Sequence, residues 1–277
     1  MKQSKKTQKR PGSQSFHEYY KNLFGDRWQN LCAALLEKPD YRQYKVHESC
    51  EPYFLDSASI RSAISLPLSG AAHILDLCAA PGGKTIVLAS LMGENAQLLS
   101  NERSGERKIR LQKSCDSCLP PSVRERVTVT NKDGAVLCRA KENIDFFDAI
   151  LLDAPCSSER HVLGDKKYLD EWSPARIKTL SMAQWSLLSS AWRMLSPGGH
   201  LLYSTCALSP AENDDVIARL LKKFPDALIK TPEIAGDVSR FTKDEFPAAE
   251  KTEFGAHILP DRANGAGPLY FSLVQKP

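Results

Sequence analysis

Ten consecutive residues, Asp76-Leu77-Cys78-Ala79-Ala80-Pro81-Gly82-Gly83-Lys84-Thr85, decide how this chain is read. They follow a short apolar run, 73–77, with the look of a strand, and they open an apolar stretch over about 84–92 with the look of a helix. Small residues and two glycines in such a turn let the backbone approach a ligand, and the first turn of the helix offers unpaired N–H groups to an anion. Outward from this turn the same rhythm repeats. Segments 97–100, 127–130, 147–152 and 200–203 read as strands, and 105–115, 174–195 and 211–223 as helices, with Pro197-Gly198-Gly199 turning the chain into the strand at 200. Strands alternating with helices predict an α/β fold, a mostly parallel sheet with helices on both faces and right-handed crossovers. Segments 257–259 and 270–274 read as a closing pair of strands, with Gly265, Gly267 and Pro268 between them.

Three ligands compete for the turn. Gly83-Lys84-Thr85 ends like a phosphate-binding loop, but that motif needs glycine where Cys78 stands. The G-x-G-x-x-G of dinucleotide sites is absent. S-adenosylmethionine remains, its carboxylate suited to the helix end. Glu102 closes the second strand, about 20 residues on, where an acid accepts ribose hydroxyls. Asp133-Gly134 closes the third, where a carboxylate can accept from an adenine amine.

The next two strands run into cysteines: Asp153-Ala154-Pro155-Cys156-Ser157-Ser158 and Ser204-Thr205-Cys206. A thiolate beside a methyl donor suits methylation of pyrimidine carbon 5, which is a poor nucleophile until a thiolate adds to C6. Asp153 can hold protonated N3 and so stabilise the charge pushed into the ring. A base must afterwards remove the C5 proton.

These motifs, with Tyr53-Phe54-Leu55-Asp56-Ser57-Ala58-Ser59 before them and Ser209-Pro210-Ala211-Glu212-Asn213 after, resemble the Nop/Sun-domain (RsmB-like) RNA (cytosine-5) methyltransferases from about Tyr53 to the C-terminus. The resemblance implies a class I, Rossmann-like, S-adenosylmethionine-dependent methyltransferase fold with a seven-stranded sheet. It implies Cys206 as nucleophile, Cys156 assisting release, and cofactor contacts from Cys78, Ala79, Ala80, Pro81, Gly82, Gly83, Lys84, Glu102, Arg107, Asp133, Gly134 and Asp153. The family usually has aspartate where Glu102 stands. Glu159-Arg160-His161 and Gly267-Pro268-Leu269-Tyr270-Phe271 look most like the branch acting on mitochondrial small-subunit ribosomal RNA. The implied substrate is rRNA, with tRNA as the alternative. Carbon-5 methylation of DNA, with Cys156 attacking, would leave Cys206 without a task. A non-catalytic ribosome-assembly factor of the same fold is the reading from a different class.

Composition agrees with a globular enzyme. Of 277 residues 42% are hydrophobic and 25% charged, enough for a sizeable core, and net charge is +4, far from a histone-like excess. No stretch approaches the ~18 uninterrupted apolar residues of a membrane span. The eight cysteines are irregularly spaced, which predicts a reduced protein, and Cys115-x-x-Cys118 has no second pair or nearby histidines to hold a metal. The expected organisation is a basic, disordered tail over 1–15, a helical, RNA-contacting extension over 16–70 and a methyltransferase domain over 71–277. Lys2, Lys5, Lys6, Lys9 and Arg10 make the tail phosphate-seeking. Phe24-Gly25-Asp26-Arg27-Trp28, or a partner protein concerned with ribosome assembly, is expected to help hold RNA, together with Arg160, Lys166, Lys167 and Arg176 near the cleft. A cytoplasmic setting is expected, with a mitochondrial one as the alternative.

Overall fold

The computed structural model describes residues 12–234 and 246–277; the basic residues Lys2 to Arg10 lie outside them, while Ser13 to Ser15, expected to belong to a disordered tail, already form the first turn of a helix. Two helices come first, α1 (Ser13–Phe24) and α2 (Arg27–Leu36). Gly25, at φ 57°, bends the chain between them and returns its N–H to the Lys21 carbonyl at 2.8 Å. Helical spacing puts Phe16 and Tyr20 on one face, buried with Trp28, Leu31, Leu35 and Trp172. The Tyr20 and Trp28 rings stack 5.2 Å apart, and Phe16 meets Trp172 edge-on at 5.2 Å. Arg27 donates to both Glu250 and Asp261. Arg27 and Trp28, expected to help hold RNA, are thus engaged in fastening α2 to the body.

The segment expected to be helical throughout also holds an antiparallel hairpin, β1 (Tyr41–Tyr44) with β2 (Tyr53–Asp56), before α3 (Ser57–Ile64). Asp56 caps α3 by accepting from the Ala58 N–H at 2.8 Å. The main sheet then begins with β3 (His73–Asp76), and α4 (Gly83–Leu91) leads to β4 (Gln97–Asn101). Helices α5 (Gly105–Cys118) and α6 (Pro121–Arg124) precede β5 (Val127–Thr130), and β6 (Phe147–Asp153) follows. The chain continues through α7 (Glu159–Gly164), α8 (Lys166–Glu171) and α9 (Pro174–Met194) to β7 (Leu195–Thr205) and α10 (Asp214–Lys223). It closes with β8 (Leu228–Lys230), β9 (Glu250–Lys251), β10 (Ala256–Ile258) and β11 (Leu269–Gln275).

Strand order is β5-β4-β3-β6-β7-β11-β10-β9, with β8 also on β11. The five strands from β5 to β7 are parallel, and the closing strands are antiparallel. The path from β5 to β10 supplies the seven strands expected. The sheet reaches nine among the described residues through the short edge strands β8 and β9, whose two or three residues carry no apolar run to announce them. The expected turn at Pro197-Gly198-Gly199 is absorbed into β7: Leu195 pairs with Phe147 and His200 with Ala149, so the extra residues bulge out of the ladder. Alternate side chains feed two cores. Ile74, Leu151 and Leu202 face α3, α4 and α5, while Leu75, Ile150, Leu152 and Tyr203 face α9 and α10. Among the described residues no helix is long and apolar enough to cross a membrane.

Candidate active site

The chain runs outward from β3 through β4 to β5, then returns to lay β6 on the other side of β3. A crevice opens where the order reverses, at the carboxyl ends of the strands. Here it is a cavity of about 1270 Å³ lined by every site residue expected from the sequence except Gly82. Gly82, at φ 116°, turns the backbone into α4, and a Cβ there would lie 3.1 Å from Ser114 Cβ. At Gly83 a Cβ would come within 2.9 Å of the Tyr53 ring, so only glycine lets β2 close over the turn.

Two carboxylates on the floor of this crevice each keep a buried oxygen without a hydrogen bond. Asp76 Oδ2 accepts from Thr85 Oγ1 at 2.6 Å, while Oδ1 has no partner. Burial pushes this carboxyl up to about 7. Glu102 Oε1 accepts from the Ser104 N–H at 2.8 Å; Oε2 stands 3.4 Å from Arg107 without a hydrogen bond. Arg107 itself donates to the Ala80 carbonyl at 2.6 Å. Asp133 accepts from the Ala135 N–H at 3.1 Å and stays partly open to the cavity. The free end of α4 and these open acceptors at Asp76, Glu102 and Asp133 form a donor and acceptor set that fits an amino-acid carboxylate at one end and a nucleoside at the other. Cys78 lines the same space, and burial pushes its thiol up.

The ladder between β6 and β7 brings the two cysteines together. Asp153 pairs with Ser204, and Ala154 N–H donates to the Ser204 carbonyl at 2.8 Å, so Cys156 and Cys206 leave neighbouring strands side by side. Their sulfurs lie 2.9 Å apart, both as free thiols. The hydrogen bond between the two sulfurs, helped by burial, pushes the Cys156 thiol up, so Cys156 keeps its proton. Ser158, held at φ 56°, places its hydroxyl 3.2 Å from Cys206 and 3.6 Å from Cys156. Asp153 Oδ1 accepts from Ser204 at 2.8 Å and Oδ2 from Lys84 at 2.7 Å; Lys84 also donates to Ser59 at 3.3 Å. Burial lowers the Lys84 pKa, but Asp153 and, more weakly, Cys206 outweigh it, and the ammonium is retained. Lys84 therefore reaches across from the ligand turn to Asp153.

Behind the cysteines lies a group that motif reading did not connect. Glu159 and Glu212 are both fully buried. Ser157 Oγ contacts both, at 2.5 Å for Glu212 Oε2, and Tyr20 donates to Glu159. The Ser157 N–H and Gln184 donate to Glu212 Oε1 at 2.9 and 3.0 Å, and the Leu208 N–H donates to Glu159 at 3.1 Å. One hydroxyl proton cannot serve two carboxylates, so the pair must hold a proton of its own. Burial raises both carboxyls, and the charge of Glu159 helps bring Glu212 to about 7, so the two glutamates share that proton. The network ties α1 to the loops after β6 and β7. Its glutamates were visible in the motifs, but Tyr20 and Gln184 carry no local signal.

Arg160, expected to face RNA, donates instead to the carbonyls of Glu37, Gly265 and Gly267 at 2.7–3.0 Å. Lys166 and Lys167 are exposed.

Comparison with known proteins bears on this geometry. The family model described as 16S rRNA methyltransferase RsmB/F matches residues 63–273. The chain is 34% identical over 227 residues to the mouse "tRNA (cytosine(34)-C(5))-methyltransferase, mitochondrial", an alignment covering 81% of this chain and 63% of that protein. It is 33% identical over 231 residues to the mouse "5-cytosine rRNA methyltransferase NSUN4", covering 81% and 60%. "Ribosomal RNA small subunit methyltransferase F" of an Escherichia coli strain is 37% identical over 213 residues, covering 75% and 41%. The chain thus spans less than two thirds of the length of these relatives. Among solved structures, a methyltransferase homolog protein from Pyrococcus horikoshii superposes with a TM-score of 0.68 at 21% identity, covering 95% and 94% of the two chains. NSun6 from the same organism gives 0.65 at 22%, covering 83% and 54%. These two share the methyltransferase fold. With the family model spanning the sheet from before β3 into β11, the chain belongs to the RsmB/F family of 16S rRNA methyltransferases.

Proposed function

We propose that the protein is an S-adenosylmethionine-dependent RNA (cytosine-5) methyltransferase. The observation that carries this reading is the pair of free thiols, 2.9 Å apart, in one cavity with the Lys84–Asp153 ion pair and the open carboxylates of the ligand turn. Cys78 to Lys84, Glu102, Arg107, Asp133, Gly134 and Asp153 would hold the cofactor, which supplies an electrophilic methyl group when bound.

Cys206, as its thiolate, adds to C6 of the target cytosine, pushing the ring electrons toward C5 and N3. Asp153, held from both sides by Ser204 and Lys84, accepts from protonated N3, and the Lys84 ammonium lies next to the developing charge. Once Cys206 is bound to C6 it no longer holds up the Cys156 pKa, and Cys156 ionises more readily. After C5 has taken up the methyl group, the Cys156 thiolate takes the C5 proton, the electron pair left behind breaks the C6–S bond, and Cys206 leaves as thiolate. Cys156 thereby acts in release, and Ser158 can relay a proton between the sulfurs.

The family description and the rRNA-named relatives support ribosomal RNA as substrate; the mouse tRNA enzyme, at 34% identity against 33% for the mouse rRNA enzyme, keeps tRNA as the second reading. The mouse relative named mitochondrial supports the mitochondrial alternative rather than the cytoplasmic setting expected from the sequence. A ribosome-assembly partner remains part of the proposal. The test is transfer of tritiated methyl to total RNA and to ribosomal precursors, with products mapped by bisulfite sequencing. Label at discrete cytosines, lost in Cys206→Ala and replaced by a trapped protein–RNA adduct in Cys156→Ala, is expected. Unchanged transfer by Cys206→Ala would refute the mechanism, and absence of label on every RNA would favour the assembly-factor reading.

A further inference from the structure

The β1–β2 hairpin turns one face inward and the other out. Partners across an antiparallel pair share a face, so Tyr44 with Tyr53 and Arg42 with Leu55 form one side, and Tyr41 with Asp56 and Gln43 with Phe54 form the other. Tyr44 and Leu55 are buried, whereas Tyr41 is 57% and Phe54 61% exposed. These two rings are diagonal neighbours on the outward face, and both line the cavity that holds Cys156 and Cys206. The same cavity is lined by His161, whose ring lies 4.8 Å from Tyr168, with exposed Lys166 and Lys167 on the adjoining α8.

We propose that Tyr41 and Phe54 form a stacking platform for the nucleobase next to the target cytosine in a single-stranded RNA segment. This rests on the RNA reading above. A base that enters the cavity leaves its neighbour with one face unstacked, and an aromatic ring at the entrance replaces the lost contact. Phe54 has no polar atom, so its contribution is stacking, tolerant of base identity and independent of salt, while Lys166 and Lys167 answer to the phosphates. Two rings fall far short of the ~1,200 Å² that a stable protein interface buries, and they continue directly into a space sized for a base and a nucleoside. Both points favour RNA over a protein as occupant.

The probe is a fluorescein-labelled oligouridine of about 12 nucleotides with one central cytosine, and the same strand with abasic ribose on both sides of that cytosine. Binding is followed by anisotropy at roughly 50 and 200 mM salt. Phe54→Ala is expected to weaken binding of the intact strand roughly ten-fold with an unchanged salt slope, and Phe54→Tyr to restore it. The abasic strand should bind wild type and Phe54→Ala alike, because the platform then has nothing to stack on. An unchanged thermal midpoint shows that the exposed residue was not holding the fold. If Phe54→Ala binds the intact strand as tightly as wild type, or weakens both strands equally, the platform is refuted and the patch is left to a protein partner. If wild type binds neither strand, the RNA reading itself fails, and this inference with it.

Discussion

Replacing Glu212 with glutamine should make the protein's stability markedly less sensitive to pH. In the folded protein this carboxyl is raised from an ordinary 4.5 to about 7 by burial and by Glu159. A carboxyl raised by folding binds its proton more tightly in the folded than in the unfolded chain. Its contribution is therefore most favourable below about 4.5, falls as pH rises toward about 7, and is level above. The displacement corresponds to about 3 kcal/mol of unfolding free energy across that window. Glutamine keeps the acceptor that meets the Ser157 N–H and Gln184, and its amide can donate to Ser157 Oγ where the carboxyl proton did. Asp76, also raised to about 7, and Glu159, raised by burial, add slopes of the same sign in both proteins, so the quantity to follow is the difference between them. Urea unfolding read by fluorescence of the buried Trp28 and Trp172, at pH 5 to 8, should show wild type losing about 2.5 kcal/mol more than Glu212→Gln. Parallel profiles would mean that Glu212 is ionised throughout and that the shared-proton account of the network is wrong.

Three further outcomes are expected. Lys84→Met removes the hydrogen bonds to Asp153 and Ser59, and losing a charged hydrogen bond of roughly 1.5–3 kcal/mol should lower kcat/KM for methyl transfer by about ten- to a hundred-fold, whereas an unchanged value would take Lys84 out of the chemistry. Gly83→Ala drives a methyl group against the Tyr53 ring and should cost about 1–3 kcal/mol, read as a lower thermal midpoint; a midpoint equal to wild type would show that β2 yields freely. Arg27→Met removes the cation that bridges Glu250 and Asp261, leaving only Arg262 beside Glu250 at 3.5 Å, and should destabilise by roughly 1–2 kcal/mol, an effect that shrinks in high salt; salt-independent loss would point to packing instead.

The central parallel strands β3 and β6 were legible as compact apolar runs buried on both faces, and the edge strand β5 by its alternating Val and Thr; the ends of these strands carried motif residues that the cavity gathers. Strand β1 was not, since Tyr41-Arg42-Gln43-Tyr44 places polar and aromatic residues where no strand alternation stands out. The stretch Pro197-Gly198-Gly199 misled because a bulge and a turn draw on the same residues. Site composition was readable from motifs, but partnership was not. That Lys84 would meet Asp153, or Arg160 three carbonyls rather than phosphates, depends on contacts across 69 to 123 residues. Charge in a sequence does not declare whether it will be spent on solvent, on a ligand or on the chain itself.

The fastening of α2 carries a consequence for synthesis on the ribosome. Arg27 finds Glu250 and Asp261 only 223 and 234 residues later, and Arg160 waits for Gly265 and Gly267. At ~5–20 residues per second, the leading helices emerge roughly 10–50 s before their carboxylates exist. During that interval Phe16, Tyr20 and Trp28 have no completed surface to cover them. A nascent-chain holding factor, or early docking onto Trp172, would shelter them, and the reaction cavity is finished only when the last hairpin leaves the exit tunnel.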